Sequence, residues 1–245
     1  PWIAMLCAVL AGLLAGTVTG LLHVLLGIPP ILAGILTQMV LWSVNLKILG
    51  KANQALPARS IDVLLTQMNI PAALPVLLGW AAVLVTLLVL FFSTELGCAL
   101  RATGCNPVMS RAQGVNTGLM KVIGLALSNA VVAMSGGLLC QYQGYTDVNM
   151  GRGAVVIGLA AVVIGQAVLG RHGGHMAAQL GGVVLGAVIY YIVYQVIIFA
   201  GFDTDLLKMF SAVVVAVFLG VPHVRDQIRT NSRIKKGGSR HAENA

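Results

Sequence analysis

The side chains of this chain best placed for chemistry are polar groups set inside long apolar runs. Gln38, Ser43 and Asn45 stand in one run, Ser128, Asn129 and Ser135 in another, and Gln166 in a third. Amides and hydroxyls in an apolar medium are costly unless they pair with each other or serve a solute. The set is therefore the candidate lining of a translocation path, with Asn129 first because its amide is the costliest to leave unpaired. For each of them, interhelical hydrogen bonding is the competing role. Tyr190, Tyr191 and Tyr194 could form a stacking surface or anchor a span at the interface. Hydrolysis finds no support. The chain has no Gly-x-Ser-x-Gly, no His-Glu-x-x-His and no Asp or Glu deep in an apolar run, so an intramembrane hydrolase would lack its nucleophile or metal. The missing carboxylates also remove the usual relay or ion site of a proton- or sodium-coupled carrier. His172 and His175 have three-residue spacing but no third ligand beside them, so a turn is expected there and no metal.

The elements that must carry these residues follow from composition. Of 245 residues, 58% are hydrophobic and 9% charged, with mean hydropathy +0.92. A soluble domain carries about 25% charged residues. So few charges cannot clothe a globular surface, which excludes a soluble enzyme, a nucleic-acid binder and a disordered chain. The expected fold class is all-α, a polytopic helical membrane protein with six to seven spans. They run over 2–22, 28–46, 71–93, 118–141, 153–170 and 176–202, with a shorter one over 206–221. In 76–92, twelve Leu, Val or Phe residues favour insertion by roughly 4–7 kcal/mol. Gly12, Gly16 and Gly20 recur at four-residue spacing, as do Gly182 and Gly186, which marks two faces for close helix packing. The chain opens at Pro1 close to an apolar run, without a basic leader, so further spans are expected to precede it.

Charge gives the orientation. The net charge is +8, and six of the fifteen Lys and Arg lie in residues 223–245, a basic tail expected beside anionic lipid in the cytoplasm. Alternating backwards from that tail puts 171–175, 94–117 and the turn at His23 inside. Counting Lys121, that side holds ten of the fifteen cations, in accord with the positive-inside rule; Lys47, Lys51 and Arg59 run against it. The expected domains are a transmembrane unit over 1–222 and the tail over 223–245. Four scattered cysteines show no CxxC pair, and Cys98 and Cys105 are expected reduced.

One loop, 94–117, is punctuated as two short helices. Thr94 caps the first and Gly104 ends it; Asn106 caps the second, with Pro107 at its first position and Gly114 past its end. A helix of about six residues does not hold itself together in water. It either docks on a partner through Val108, Met109 and Arg111 or tucks under its own bundle, and spacing alone fits both.

Arg-Ala-Thr-Gly-Cys-Asn-Pro-Val-Met-Ser-Arg-Ala-Gln-Gly-Val-Asn-Thr over 101–117, with a Ser-Gly-Gly turn at 135–137 in the next span, resembles the permeases of ATP-binding-cassette (ABC) importers of the branched-chain amino acid and simple-sugar type. Arg101, Ala102, Gly104, Asn106, Gly114 and Val115 match that family's cytoplasmic loop. The loop's small Ala is displaced here, with Ser110 the nearest candidate. Val156–Gln166 is similar to the family's later spans, and the chain looks closest to its aromatic amino acid importers. The resemblance implies that 94–117 docks on a separate ATPase through Arg101, Gly104, Asn106, Val108, Met109, Arg111, Gly114 and Val115. It further implies a separate extracytoplasmic binding protein, a homodimer or heterodimer of permeases, alternating access and a bacterial inner-membrane location. The sequence accords with that division of labour. It has no Gly-x-x-x-x-Gly-Lys-Ser/Thr loop, so ATP would be bound by the partner, with no cofactor here. No outer loop exceeds about 25 residues, too short for a capture domain. A stand-alone secondary carrier or channel is the alternative.

Overall fold

The computed structural model describes residues 2–56, 70–151, 154–169 and 176–199. The expected seventh span, the basic tail, His172 and His175 lie outside them. The chain forms two compact units, divided after Met150.

The first unit is built around α1 (Trp2–Leu25) and α6 (Thr117–Gln143), which pack antiparallel along their length. Small residues make this possible. A Cβ added at Gly12 would lie 2.6 Å from Ala133 Cβ and from the Asn129 carbonyl oxygen; one at Gly20 would lie 2.9 Å from Val122 Cα. Without lipid-excluding force between helices, such backbone contact is what holds them. Helix α2 (Pro30–Leu49) folds back on α1, where Thr19 Oγ1 donates to Thr37 Oγ1 at 2.9 Å and both hydroxyls are buried. Helix α3 (Ile70–Ser93) meets α1 through Trp2 and Trp80, whose rings lie 5.8 Å apart. It then leads into α4 (Glu95–Cys105) and α5 (Pro107–Ala112).

Two three-residue strands, β1 (Asn53–Ala55) and β2 (Tyr145–Asp147), pair antiparallel and tie the segment after α2 to the segment after α6. No alternating apolar pattern marks them in the sequence; backbone pairing between two loops makes them. The unit thus has two ends. One carries the α1–α2 turn and the α4–α5 segment, and the other carries the strand pair. This is the alternation read from the sequence.

In the second unit α7 (Ala154–Leu169) packs on α8 (Met176–Phe199) around Ala160, Ile164 and Tyr190. Gly165 and Gly186 stand where any Cβ would collide with the facing backbone. Tyr190 stacks on Tyr194 at 6.4 Å, and its buried hydroxyl has no hydrogen-bond partner among the described residues. The tyrosines thus belong partly to the helix-helix core.

Five helices, α1, α2, α3, α6 and α8, are long and apolar enough to cross a membrane. Helix α7, the expected fifth span, is described over 16 residues, about 24 Å of helix. One sequence expectation fails here. Ser135–Gly137 is not a turn but lies within the unbroken α6, where a Cβ on Gly137 would sit 3.2 Å from Met5 Sδ; the small residues serve packing.

Candidate functional site

The segment from Thr94 to Thr117 is closed by its own caps. Thr94 Oγ1 accepts from the Gly97 amide at 3.3 Å and donates to the Phe91 carbonyl, turning the chain sharply out of α3. Helix α4 does not end at Gly104. It continues to Cys105, and extended Asn106 (φ −150°) terminates it while its amide donates to Ala102. The same Asn106 starts α5, its Oδ1 accepting from the amides of Val108 and Met109 at 3.1 and 3.0 Å. One residue therefore serves both helices.

At the far end of α5, Gly114 has φ +84°. Its amide donates to the Arg111 carbonyl at 3.0 Å, and that of Val115 to Ser110 at 3.1 Å. These two bonds form a Schellman motif, which requires a left-handed residue and so favours glycine. Asn116, a cap not singled out in the sequence reading, then accepts from Leu119 and opens α6. Its signal was available as Asn followed by an apolar run.

Faces of α5 are distinct. Ser110 is buried, with its hydroxyl on the Asn106 carbonyl, and supplies the small inward residue. Val108 (79% exposed) and Met109 (59%) project away from the chain. Arg111 is exposed too and donates from Nη2 to Thr117 Oγ1 at 3.1 Å. Arg101 and Gly104 are exposed on α4, and Val115 is half-buried. A groove of about 450 Å³ runs between α5 and α6, lined by Pro107, Val108, Arg111, Ala112 and Lys121. Lys121 Nζ lies 3.4 Å from His23 Nε2, and His23 Nδ1 lies 2.7 Å from the Ile28 carbonyl oxygen. A carbonyl only accepts, so Nδ1 carries the proton and Nε2 is left to accept from the lysine. The sequence reading missed this link, which joins residues 98 apart.

The path candidates are not gathered in that groove. Asn129 is half-buried against α1, its amide donating to the Leu125 carbonyl of its own helix at 2.9 Å. Ser128 and Ser135, seven residues apart on α6, are exposed, as are Gln38 and Asn45, seven apart on α2, and Gln166 on α7. Residues at i and i+7 share a helix face.

A bundle of apolar helices with a self-capped helical loop at one end has the features of an integral membrane component. The family model described as "Branched-chain amino acid transport system / permease component" matches residues 1–222, and the chain belongs to that family. It is 35% identical to the tyrosine transport system permease protein of Clostridioides difficile (strain R20291), over 96% of this chain and 78% of the relative. It is 27% identical to the uncharacterized protein RP368 of Rickettsia prowazekii, over 88% and 77%. The autoinducer 2 import system permease protein LsrC of Escherichia coli (strain K12 / DH10B) is 30% identical over 73% of this chain and 52% of LsrC. No solved structure matches. The resemblance read from the 101–117 loop is thereby shown, and the chain is a multi-pass membrane permease of a transport family.

Proposed function

We propose that this chain is the permease subunit of an ABC importer in a bacterial inner membrane, with its C-terminus in the cytoplasm. It passes a small solute, an amino acid or a related compound, through a path shared by two permease subunits. A separate ATPase binds the ATP, a separate extracytoplasmic protein delivers the solute, and the permease itself needs no cofactor. The observation that carries this reading is α5, a six-residue helix closed at both ends by its own caps while Val108 and Met109 stay exposed. Adjacent apolar side chains exposed on so short a capped helix form a patch suited to a partner's groove. The exposed polar pairs on α2 and α6 support a path between subunits, since hydroxyls and amides facing lipid would be costly. The tyrosine permease relative supports an aromatic amino acid as solute.

In this mechanism ATP-driven closure of the two ATPases moves α5 and rocks the spans between inward- and outward-open states. A full swing of such an equilibrium needs about 5.5 kcal/mol of differential binding. The test is affinity purification of the tagged full-length protein from detergent, with mass spectrometry of what accompanies it. An ABC ATPase is expected, and Arg111→Glu or Gly114→Pro should uncouple transport from ATP hydrolysis while the permease stays inserted. A protein that purifies alone and transports in liposomes without ATP would make it a secondary carrier or channel. Unchanged coupling in both variants would remove the docking role of α5.

A further inference from the structure

We propose that the groove between α5 and α6 is a headgroup site for an anionic phospholipid, with Arg111 and Lys121 as its phosphate ligands. The two cations line the same cavity of about 450 Å³. Their hydrogen-bond partners among the described residues are neutral, the Thr117 hydroxyl for Arg111 and the His23 imidazole for Lys121. Of the seven acids in the sequence, only Glu95 and Asp147 fall within the described residues. Asp147 follows the opposite end of α6, and α4, about 16 Å long, separates Glu95 from the start of α5. Among the described residues, the positive charge of the groove has no acidic partner.

Its height fits a lipid phosphate. Helix α6 has 27 residues, about 40 Å of helix against about 30 Å of hydrocarbon, which leaves about 5 Å at each end. Lys121 lies four residues into α6, about 6 Å from its start, so its ammonium group stands at the headgroup boundary. Arginine's planar donors match two phosphate oxygens, and the lysine adds a point charge beside them. His23 holds that lysine from α1, while Pro107 and Ala112 line the groove with apolar surface for the glycerol. A carboxylate of a docked protein is the competing occupant. The lipid is favoured because Lys121 belongs to a spanning helix at a level where phospholipid is always present.

The test is native mass spectrometry of the full-length permease, taken from nanodiscs into mild detergent. The probe is phosphatidylglycerol, with phosphatidylcholine as the neutral lipid and inorganic phosphate as the soluble anion. Phosphatidylglycerol should be retained over phosphatidylcholine, and Lys121→Gln should weaken its retention about fivefold. Lys121→Arg should restore it, and phosphatidylcholine retention should not change. If Lys121→Gln does not purify as a folded protein, Arg111→Gln gives the same reading. Equal retention of the two lipids, or insensitivity to both substitutions, would overturn the proposal. Displacement of the lipid by inorganic phosphate would reassign the groove to a soluble anion. Displacement by added ATPase would reassign it to the protein partner.

Discussion

At the scale of single residues, Asn106 and Gly114 decide whether α5 exists. Asn106 Oδ1 takes two amides that no helical carbonyl can reach, and Gly114 holds a φ of +84° that places two closing bonds. Removing an Asn cap costs about 1 kcal/mol, and forcing a Cβ into left-handed geometry about 1–2 kcal/mol. A six-residue helix has little else to offset such losses. We expect Asn106→Ala to speed hydrogen exchange of amides 108–113 roughly fivefold in the purified protein, with Gly114→Ala at least as severe. Asn106→Asp, which keeps the acceptor, should exchange as the native chain does. Global melting should hardly move in any of the three, because the spans carry the stability. Exchange rates in Asn106→Ala indistinguishable from the native protein would show that a neighbour, and not the cap, holds α5.

Among the elements, α1 and α6 form the frame from which the loop is hung. A Cβ at Gly16 would strike the Leu125 carbonyl oxygen, and would lie 2.6 Å from Ala126 Cα and 2.9 Å from Asn129 Cβ. Backbone cannot rotate away as a side chain can, so the helices would have to part. Overpacking costs about 1–3 kcal/mol. Gly16→Val should therefore lower the melting temperature in detergent by several degrees, whereas Gly34→Ala should be neutral or stabilising, since a Cβ there meets nothing within 4 Å. Equal melting of the two variants would contradict the α1–α6 packing. The same pair of helices shows what was legible in the sequence. The four-residue glycine spacing and the apolar runs are local signals, and they gave the spans and packing face of α1. Cap chemistry is local too, so Thr94, Asn106 and Gly114 could be read in advance. Gly104 misled because a glycine near a helix end resembles a terminator, and only the extended Asn106 shows where α4 stops. The strand pair and the His23–Lys121 contact join residues about a hundred positions apart, and no local pattern encodes them. Asn129 turned up at the α1 interface for a related reason: sequence marks a polar residue in a span but not the direction it faces.

For the molecule as a whole, the question is which end faces the cytoplasm. The structure of the first unit fixes relative sides. His23 meets Lys121 at the end that carries α4 and α5, and Asn53–Ala55 pairs with Tyr145–Asp147 at the other. By the positive-inside rule the first end is expected in the cytoplasm, since Arg101, Arg111 and Lys121 accompany it against Lys47 and Lys51 at the other. Native thiols make the choice measurable, because Cys98 and Cys105 are both free and exposed on α4. A cysteine placed at Ala55 reports the opposite end. In intact cells, a membrane-impermeant maleimide should label Ala55→Cys, once its access across any outer membrane is assured, and should leave Cys98 and Cys105 unlabelled until the inner membrane is opened. Register adds an internal check. Leu56 donates to Gly144 and Val148 to Ala52, so 56/144 and 52/148 are hydrogen-bonded pairs and 55/145 is the closer, non-hydrogen-bonded kind. An Ala55→Cys, Tyr145→Cys double variant should therefore form a disulfide under mild oxidation, within the Cα separation such bonds allow. Labelling of the α4 cysteines first would turn the protein over and place α5 outside, where no ATPase could reach it. Labelling of both ends in intact cells would break the two-ended arrangement itself. Protection of Cys98 and Cys105 together with labelling of Ala55→Cys would put the capped helix on the cytoplasmic side, and a 55–145 disulfide would confirm the strand register that sets the two ends apart.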